Sequence, residues 1–143
     1  MIIKKTGSAV WSGGLKDGIG SVSTQTGVLD KAPYGFNARF EGGKGTNPEE
    51  LIAAAHAGCF TMALSGVLEK AGLKATEMNT TATVSLEKVG GGFAINAVHL
   101  SLVAKIPGAT DEAFQTAAHD AKQNCPVSKL LNANITLDAK LQS

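Results

Sequence analysis

Residues 46–71 are the stretch that most constrains how this 143-residue chain can fold. Asn47 can cap a helix, Pro48 suits its first position, and Gly72 follows where a left-handed cap is usual. Between these ends, apolar side chains are spread around the whole circumference of a helix. They are Leu51, Ile52, Phe60, Met62, Leu64, Val67 and Leu68. A helix that is apolar on every side is predicted to be buried.

The size and charge of the chain exclude several classes of protein. A length of 143 residues predicts one domain spanning residues 1–143. A net charge of +1 offers no electrostatic surface for nucleic acid or an anionic membrane, so neither is expected as a partner. The first residues lack the order of a signal peptide, and no apolar run is expected to be long enough to span a bilayer. We therefore expect a cytoplasmic protein.

The segments on either side of the central helix predict an α+β fold. Before the helix, short strands separated by glycine turns are predicted at residues 2–4, 9–11, 19–24 and 36–40. After it, residues 76–89 and 93–105 alternate apolar and polar side chains around three glycines, which predicts a hairpin. A helix over 110–123, a short helix opened by Pro126, and a strand over 134–141 complete the chain. Together they predict an antiparallel sheet with helices on one face.

The central helix also predicts a homodimer. A single sheet covers one side of a helix, which would leave the remaining apolar surface of residues 51–68 exposed to water. Pairing two such helices under two sheets removes that exposure.

The two cysteines, Cys59 and Cys125, are the first candidates for chemistry. Cysteines in apolar surroundings are most often inert, and in a reducing compartment they are more often thiols than a structural disulfide. Two local features bear on the reactivity of these cysteines. Cys125 lies at the N-terminus of a short helix, where a thiolate is stabilised, whereas Cys59 lies in an apolar helix that should raise its pKa unless a cation or a hydrogen bond supports it.

Arg39 and Glu49 are the candidates for that support. An arginine stays charged when buried, and a carboxylate can hold its guanidinium group in one orientation. The alternative is that both are ordinary surface charges, with Glu49 interacting with the helix dipole. Glu49 and Cys59 are ten positions apart, or about 15 Å along one helix. If they share a site, Glu49 must come from a second subunit.

The histidines give weaker signals. His56 is one turn before Cys59 and could act as a general base, but a packed, hydrogen-bonded core residue is the more common role. Neither His99 nor His119 has metal-ligand spacing with a cysteine, so no metal site is expected.

Four stretches resemble the OsmC family of osmotically inducible, thiol-dependent peroxidases, which is related to the organic hydroperoxide resistance (Ohr) proteins. They are residues 33–42 (PYGFNARFEG), 45–51 (GTNPEEL), 55–60 (AHAGCF) and 124–128 (NCPVS). The YGFN segment is more similar to OsmC than to Ohr, whose arginine usually comes earlier in the chain. Gly58 departs from the family pattern, in which alanine is expected.

The resemblance implies a fold, a site and an activity. The fold is an intertwined homodimer of antiparallel sheets around buried central helices. Cys59 would be the peroxidatic cysteine and Cys125 the resolving one, with Arg39 and Glu49 as the activating pair. The implied substrates are organic hydroperoxides and, more weakly, hydrogen peroxide. No prosthetic cofactor is implied, and an external dithiol, of lipoyl type or carried by a lipoylated protein, would reduce the enzyme.

Two alternatives to the peroxidase stay open at the level of sequence. One is a binding module whose apolar dimer pocket holds a lipid-like ligand, with both cysteines incidental. The other is a redox sensor that passes its disulfide to a partner protein. Sustained turnover of a hydroperoxide distinguishes the peroxidase from both.

Overall fold

The computed structural model describes residues 1–142 and divides them between two compact units. The first unit is Met1–Leu51, and the second begins at Ile52. Each unit contains a three-stranded sheet together with helix, which confirms the α+β class. The single domain over residues 1–143 stays a prediction.

The first unit contains an antiparallel sheet with the strand order β1-β2-β3. Its strands are β1 (Gly7–Ser12), β2 (Ile19–Thr24) and β3 (Ala32–Tyr34). The strands predicted at 9–11 and 19–24 are confirmed. The strand predicted at 2–4 is wrong: Ile2 and Ile3 are mostly exposed, and no strand of the unit pairs with this segment. Apolar residues without a cross-strand neighbour are not enough to make a strand.

The strand predicted at residues 36–40 is also wrong, because this segment is a short helix, α1 (Phe36–Phe40). The rings of Phe36 and Phe40 lie one helical turn apart with their centroids 4.8 Å from each other. The backbone N–H of Arg39 donates to the Gly35 carbonyl at 3.1 Å. Local contacts at helical spacing therefore outweigh the preference of aromatic residues for strands.

The central helix, α2 (Pro48–Lys70), has the predicted ends. The Asn47 side chain accepts a hydrogen bond from the backbone N–H of Glu50 at 2.8 Å, as an N-cap does. At the other end, Gly72 has a φ of +76°. Glycine adopts this left-handed conformation without a steric penalty.

In the single chain, α2 is buried on one side only, as expected for a helix that is covered by one sheet. One stripe of its side chains is buried in the second unit, namely His56, Phe60, Leu64 and Leu68. The opposite stripe is exposed: Met62 is 75% exposed, and a Cβ added to Gly58 or Gly66 would meet no atom within 4 Å. The chain's own strands and helices therefore cover only one stripe of the apolar circumference of α2.

By length and composition alone, α2 is also the one described helix apolar enough to cross a membrane. The expectation that no apolar run reaches that length is therefore wrong. Phe60, Leu64 and Leu68 nevertheless pack in a core with residues of other elements. The apolar side chains of this stripe are therefore buried in the core of the second unit.

The second unit contains a sheet of strand order β4-β5-β6. Its strands are β4 (Glu77–Val89), β5 (Gly92–Lys105) and β6 (Asn134–Gln142). The antiparallel pairing of β4 with β5 confirms the hairpin. The sheet is not wholly antiparallel, because β6 pairs with β5 in parallel. Parallel neighbours need a crossover connection, which the helical segment between β5 and β6 provides.

Two helices form this crossover, and both have the predicted caps. Helix α3 (Asp111–Asn124) is capped by Thr110, whose hydroxyl accepts from the Ala113 N–H at 3.1 Å. Helix α4 (Pro126–Leu130) follows at once, with Cys125 at its N-cap. The core between α2, β5 and α3 includes Cys125. The fold therefore buries this cysteine within the main apolar cluster of the second unit.

Candidate redox site

Arg39 and Glu49 form an ion pair in the first unit. The Arg39 Nε atom donates to Glu49 Oε1 at 2.9 Å, and Nη2 donates to Oε2 at 3.1 Å. The Arg39 side chain is 34% exposed and that of Glu49 is 12% exposed. A pair this accessible contributes little stability, but two parallel hydrogen bonds fix the plane of the guanidinium group.

The cap of α2 holds this ion pair together. The Asn47 amide nitrogen donates to the Ala38 carbonyl at 3.1 Å, while its oxygen caps α2. One side chain thus ties the segment carrying Arg39 to the helix turn carrying Glu49. The two residues that the sequence singled out as a possible pair are brought together by this turn.

Cys59 and Cys125 are neighbours in the second unit, although 66 positions separate them. Both are free thiols; Cys59 is half-buried and Cys125 fully buried. The two sulfurs are close enough to interact, since each shifts the pKa of the other, and the backbone N–H of Val127 acts to lower the pKa of both. Cys59 also packs against the apolar cluster that contains Cys125, so a disulfide between the two is a candidate for the chemistry of this site.

The surroundings shift the pKa values of the two thiols in opposite directions. Burial raises the pKa of Cys59, and the neighbouring Cys125 sulfur raises it further, against the effect of the Val127 N–H. Burial also acts to raise the pKa of Cys125, but hydrogen bonds from Ser128, Cys59 and Val127 outweigh it and lower that pKa. In the isolated second unit, Cys125 is therefore the more acidic thiol, as its position at a helix start predicts.

Ser128 and His56 complete the surroundings of Cys125. The Ser128 backbone N–H and hydroxyl lie 3.4 Å and 3.5 Å from the Cys125 sulfur. On its other side, the Ser128 hydroxyl lies 2.7 Å from His56 Nε2. His56 is completely buried, which confirms the core role that the sequence favoured for it.

Sequence reasoning assigned no role to Ser128, yet the sequence contains a signal for it. Cys125 is an N-cap residue, and the backbone N–H three residues later usually bonds to the cap side chain. That position is Ser128. Its pairing with His56 across 72 positions has no local signal and depends on how α2 packs against α4.

Among residues 1–142, no group of three or more histidine, cysteine or acidic side chains is arranged to hold a metal ion.

Comparison with known proteins identifies the family. The model of the OsmC family, described as "OsmC-like protein", matches residues 41–140. The chain belongs to the OsmC-like family. The matched region includes Glu49, Cys59 and Cys125, while Arg39 lies just before it.

Relatives within the family match along the whole chain. The chain is 54% identical over 143 residues to "Peroxiredoxin OsmC" of Escherichia coli K12, covering all of both chains. The crystal structure of the organic hydroperoxide resistance protein OhrB of Bacillus subtilis is 31% identical, with a TM-score of 0.69, and the match covers 96% of this chain and 98% of that one. An organic hydroperoxide resistance protein from Elizabethkingia anophelis is 32% identical, with a TM-score of 0.72 and coverage of 100% and 99%.

Proposed function

We propose that this protein is a peroxidase that reduces organic hydroperoxides, with Cys59 as the peroxidatic and Cys125 as the resolving cysteine. The observation that carries the proposal is that the two thiols are neighbours and affect each other's pKa, since a two-cysteine peroxidase joins two such sulfurs during its cycle. The names of the relatives, Peroxiredoxin OsmC and organic hydroperoxide resistance protein, support the same activity.

The first chemical step oxidises Cys59. Its thiolate sulfur attacks the outer oxygen of the hydroperoxide, an S–O bond forms, and the O–O bond breaks. The alkoxide leaves and takes up a proton to become an alcohol. The sulfur becomes a sulfenic acid, while the peroxide oxygens are reduced.

The second step resolves the sulfenic acid. The Cys125 thiolate attacks the Cys59 sulfur, an S–S bond forms, and the S–O bond breaks. The departing hydroxide takes up a proton to become water. An external dithiol then reduces the disulfide and is itself oxidised to a disulfide. Because Cys59 is more exposed than Cys125, we expect the dithiol to attack the Cys59 sulfur first.

The raised pKa of Cys59 requires an activating cation, and we propose that Arg39 of a second copy supplies it. A guanidinium beside a thiol favours the thiolate and can reverse the order of the two cysteines. The ten helical positions between Glu49 and Cys59 argue against a site made within one chain. The Glu49 hydrogen bonds hold the guanidinium group ready in one orientation.

A homodimer explains the exposed stripe of α2. Gly58, Met62 and Gly66 present an apolar surface with little side-chain bulk, on which a second backbone can pack closely. A second copy covers this surface in the proposed assembly. We further propose that the protein works in the cytoplasm, where a dithiol reductant of lipoyl type can recycle it.

Rapid-mixing kinetics with cumene hydroperoxide test the proposal. Wild-type protein should turn over repeatedly with a dithiol such as dihydrolipoamide. Cys59→Ser should lose hydroperoxide reduction, whereas Cys125→Ser should consume one equivalent and stop as a sulfenic acid. Unchanged turnover by Cys59→Ser would overturn the proposal. A single oxidation of the wild type without turnover with any dithiol would instead indicate the redox sensor.

A further inference from the structure

The pair of His56 and Ser128 is the least expected feature of the second unit. A fully buried position normally takes an apolar side chain such as leucine, because burying a polar side chain is unfavourable unless its hydrogen bonds are made. His56 makes one such bond, to Ser128 Oγ at 2.7 Å, and its Nδ1 atom has no partner among the described residues. A buried polar group that is only partly satisfied calls for a role other than packing.

The unpartnered nitrogen determines the direction of the hydrogen bonds. Buried N–H groups without an acceptor are rarer than acceptors without a donor, so the proton of neutral His56 belongs on Nε2. Burial lowers the pKa of His56, which keeps the imidazole neutral. Nε2–H then donates to the Ser128 hydroxyl oxygen, which leaves the hydroxyl hydrogen free to point elsewhere.

The Cys125 sulfur is where that hydrogen can point. It lies 3.5 Å from Ser128 Oγ, and the Ser128 backbone N–H lies 3.4 Å from the same atom. Sulfur accepts hydrogen bonds weakly as a thiol and more strongly as a thiolate. A hydroxyl fixed as a donor by His56 therefore favours the thiolate of Cys125.

We propose that His56 is a positioning residue that acts through Ser128, holding the serine hydroxyl as a hydrogen-bond donor to the Cys125 thiolate and so preparing the resolving cysteine for attack. This inference rests on the proposed function, because resolution matters only if Cys59 is oxidised first. It differs from a general-base role, since His56 keeps its proton throughout.

The arrangement suits a sulfur that no solvent reaches. Cys125 is fully buried, so water cannot solvate its negative charge. The Ser128 hydroxyl and N–H and the Val127 N–H take the place of water. Each is fixed before the sulfenic acid forms, so no reorganisation is needed during the second step.

Titration of Cys125 in a Cys59→Ser background tests this chain of hydrogen bonds directly. The ultraviolet absorbance of the thiolate, followed against pH, reports the pKa of the remaining cysteine. Ser128→Ala should raise that pKa by about one unit, the usual effect of losing a hydrogen bond to a charged group. Ser128→Thr keeps the hydroxyl and should leave the pKa near its original value. His56→Gln keeps a donor near Nε2 and should do the same, whereas His56→Met should raise the pKa.

Single-turnover kinetics in the presence of Cys59 give the second readout. Ser128→Ala should slow disulfide formation about threefold to tenfold relative to hydroperoxide consumption. The fraction of Cys125 present as thiolate falls, and the higher nucleophilicity of the remaining thiolate offsets only part of this loss. Thr136→Val is the matched control. This substitution removes a hydroxyl that lies 2.6 Å from another histidine, His99, at an exposed position. It should change neither the pKa of Cys125 nor the ratio of rates.

The proposal is overturned if Ser128→Ala leaves both the pKa and the ratio of rates unchanged. Turnover by Cys59→Ser would instead contradict the proposed function. The titration of Cys125 would still decide whether Ser128 and His56 stabilise its thiolate, so the two failures can be distinguished.

Discussion

Cys59 and Cys125 are neighbours, yet their environments favour different protonation states. Cys125 is fully buried and receives hydrogen bonds that lower its pKa, whereas Cys59 is partly exposed and has a raised pKa. The single chain thus favours the thiolate on the sulfur that is proposed to act second. The difference teaches that the second unit favours the Cys125 thiolate but not the Cys59 thiolate, which is why the proposed mechanism needs a cation from elsewhere to activate Cys59.

The largest expected effect concerns the guanidinium group. Arg39→Ala should slow hydroperoxide consumption about 100-fold or more, because the Cys59 thiolate loses its counter-charge. Arg39→Lys should recover only part of the rate, since an ammonium group lacks the planar fork that Glu49 orients. Rapid-mixing kinetics measure both. Lys5→Ala, which removes an exposed charge from the same unit, is the control. An unchanged rate in Arg39→Ala would contradict the claim that Cys59, unlike Cys125, needs a cation to form its thiolate.

The second effect concerns the exposed stripe of α2. Gly58→Leu fits the single chain, because no atom lies within 4 Å of the added Cβ, but it should prevent close packing of a second copy. Light scattering should then give a single-chain mass at micromolar concentration, with hydroperoxide reduction lost. Gly91→Leu, at another open glycine in the β4–β5 turn, should leave mass and activity unchanged. A Gly58→Leu dimer with full activity would contradict the proposed interface.

The smallest expected effect is the contribution of His56 to the pH dependence of the free energy of unfolding. Its folded pKa lies below the unfolded value of 6.5 because of burial, so the unfolded chain takes up a proton first as the pH falls. The free energy of unfolding should therefore decrease below about pH 6.5, by at most about 1.4 kcal/mol per pH unit. Urea unfolding at fixed protein concentration measures the slope, and His56→Gln should reduce it. An equal slope in both proteins would mean that His56 does not titrate on unfolding.

The sequence predicts best those features that depend on residues close together in the chain. The caps at Asn47 and Thr110 and the alternation in β4 and β5 depend on neighbours in sequence, and each is confirmed. The helix at Phe36–Phe40 was missed because aromatic residues favour strands unless contacts at helical spacing intervene.

Longer-range features could be predicted only in part. The parallel pairing of β6 depends on a crossover that periodicity does not reveal. The apolar circumference of α2 predicted that one chain leaves part of the helix exposed, which is confirmed, while the homodimer that would cover this part stays a prediction.

The candidate site shows the same division. The residue types and the resemblance indicate redox chemistry at Cys59 and Cys125, but only the packed structure shows that the two thiols affect each other's pKa. Charge and the resemblance indicate Arg39 and Glu49 as candidates, but their bidentate pairing depends on the turn that Asn47 holds. The link from His56 to Ser128 joins distant segments, so only the packed structure reveals it.

Complementation between two inactive variants tests the central claim most directly, which is that Arg39 of one subunit activates Cys59 of the other. Co-expressed Arg39→Ala and Cys59→Ser chains form a mixed dimer with one intact site, so an equal mixture should recover about a quarter of the wild-type activity. Either variant alone should show almost none. If the mixture is as inactive as the separate variants although mixed dimers are isolated, Arg39 does not act across the subunit boundary and the account is contradicted.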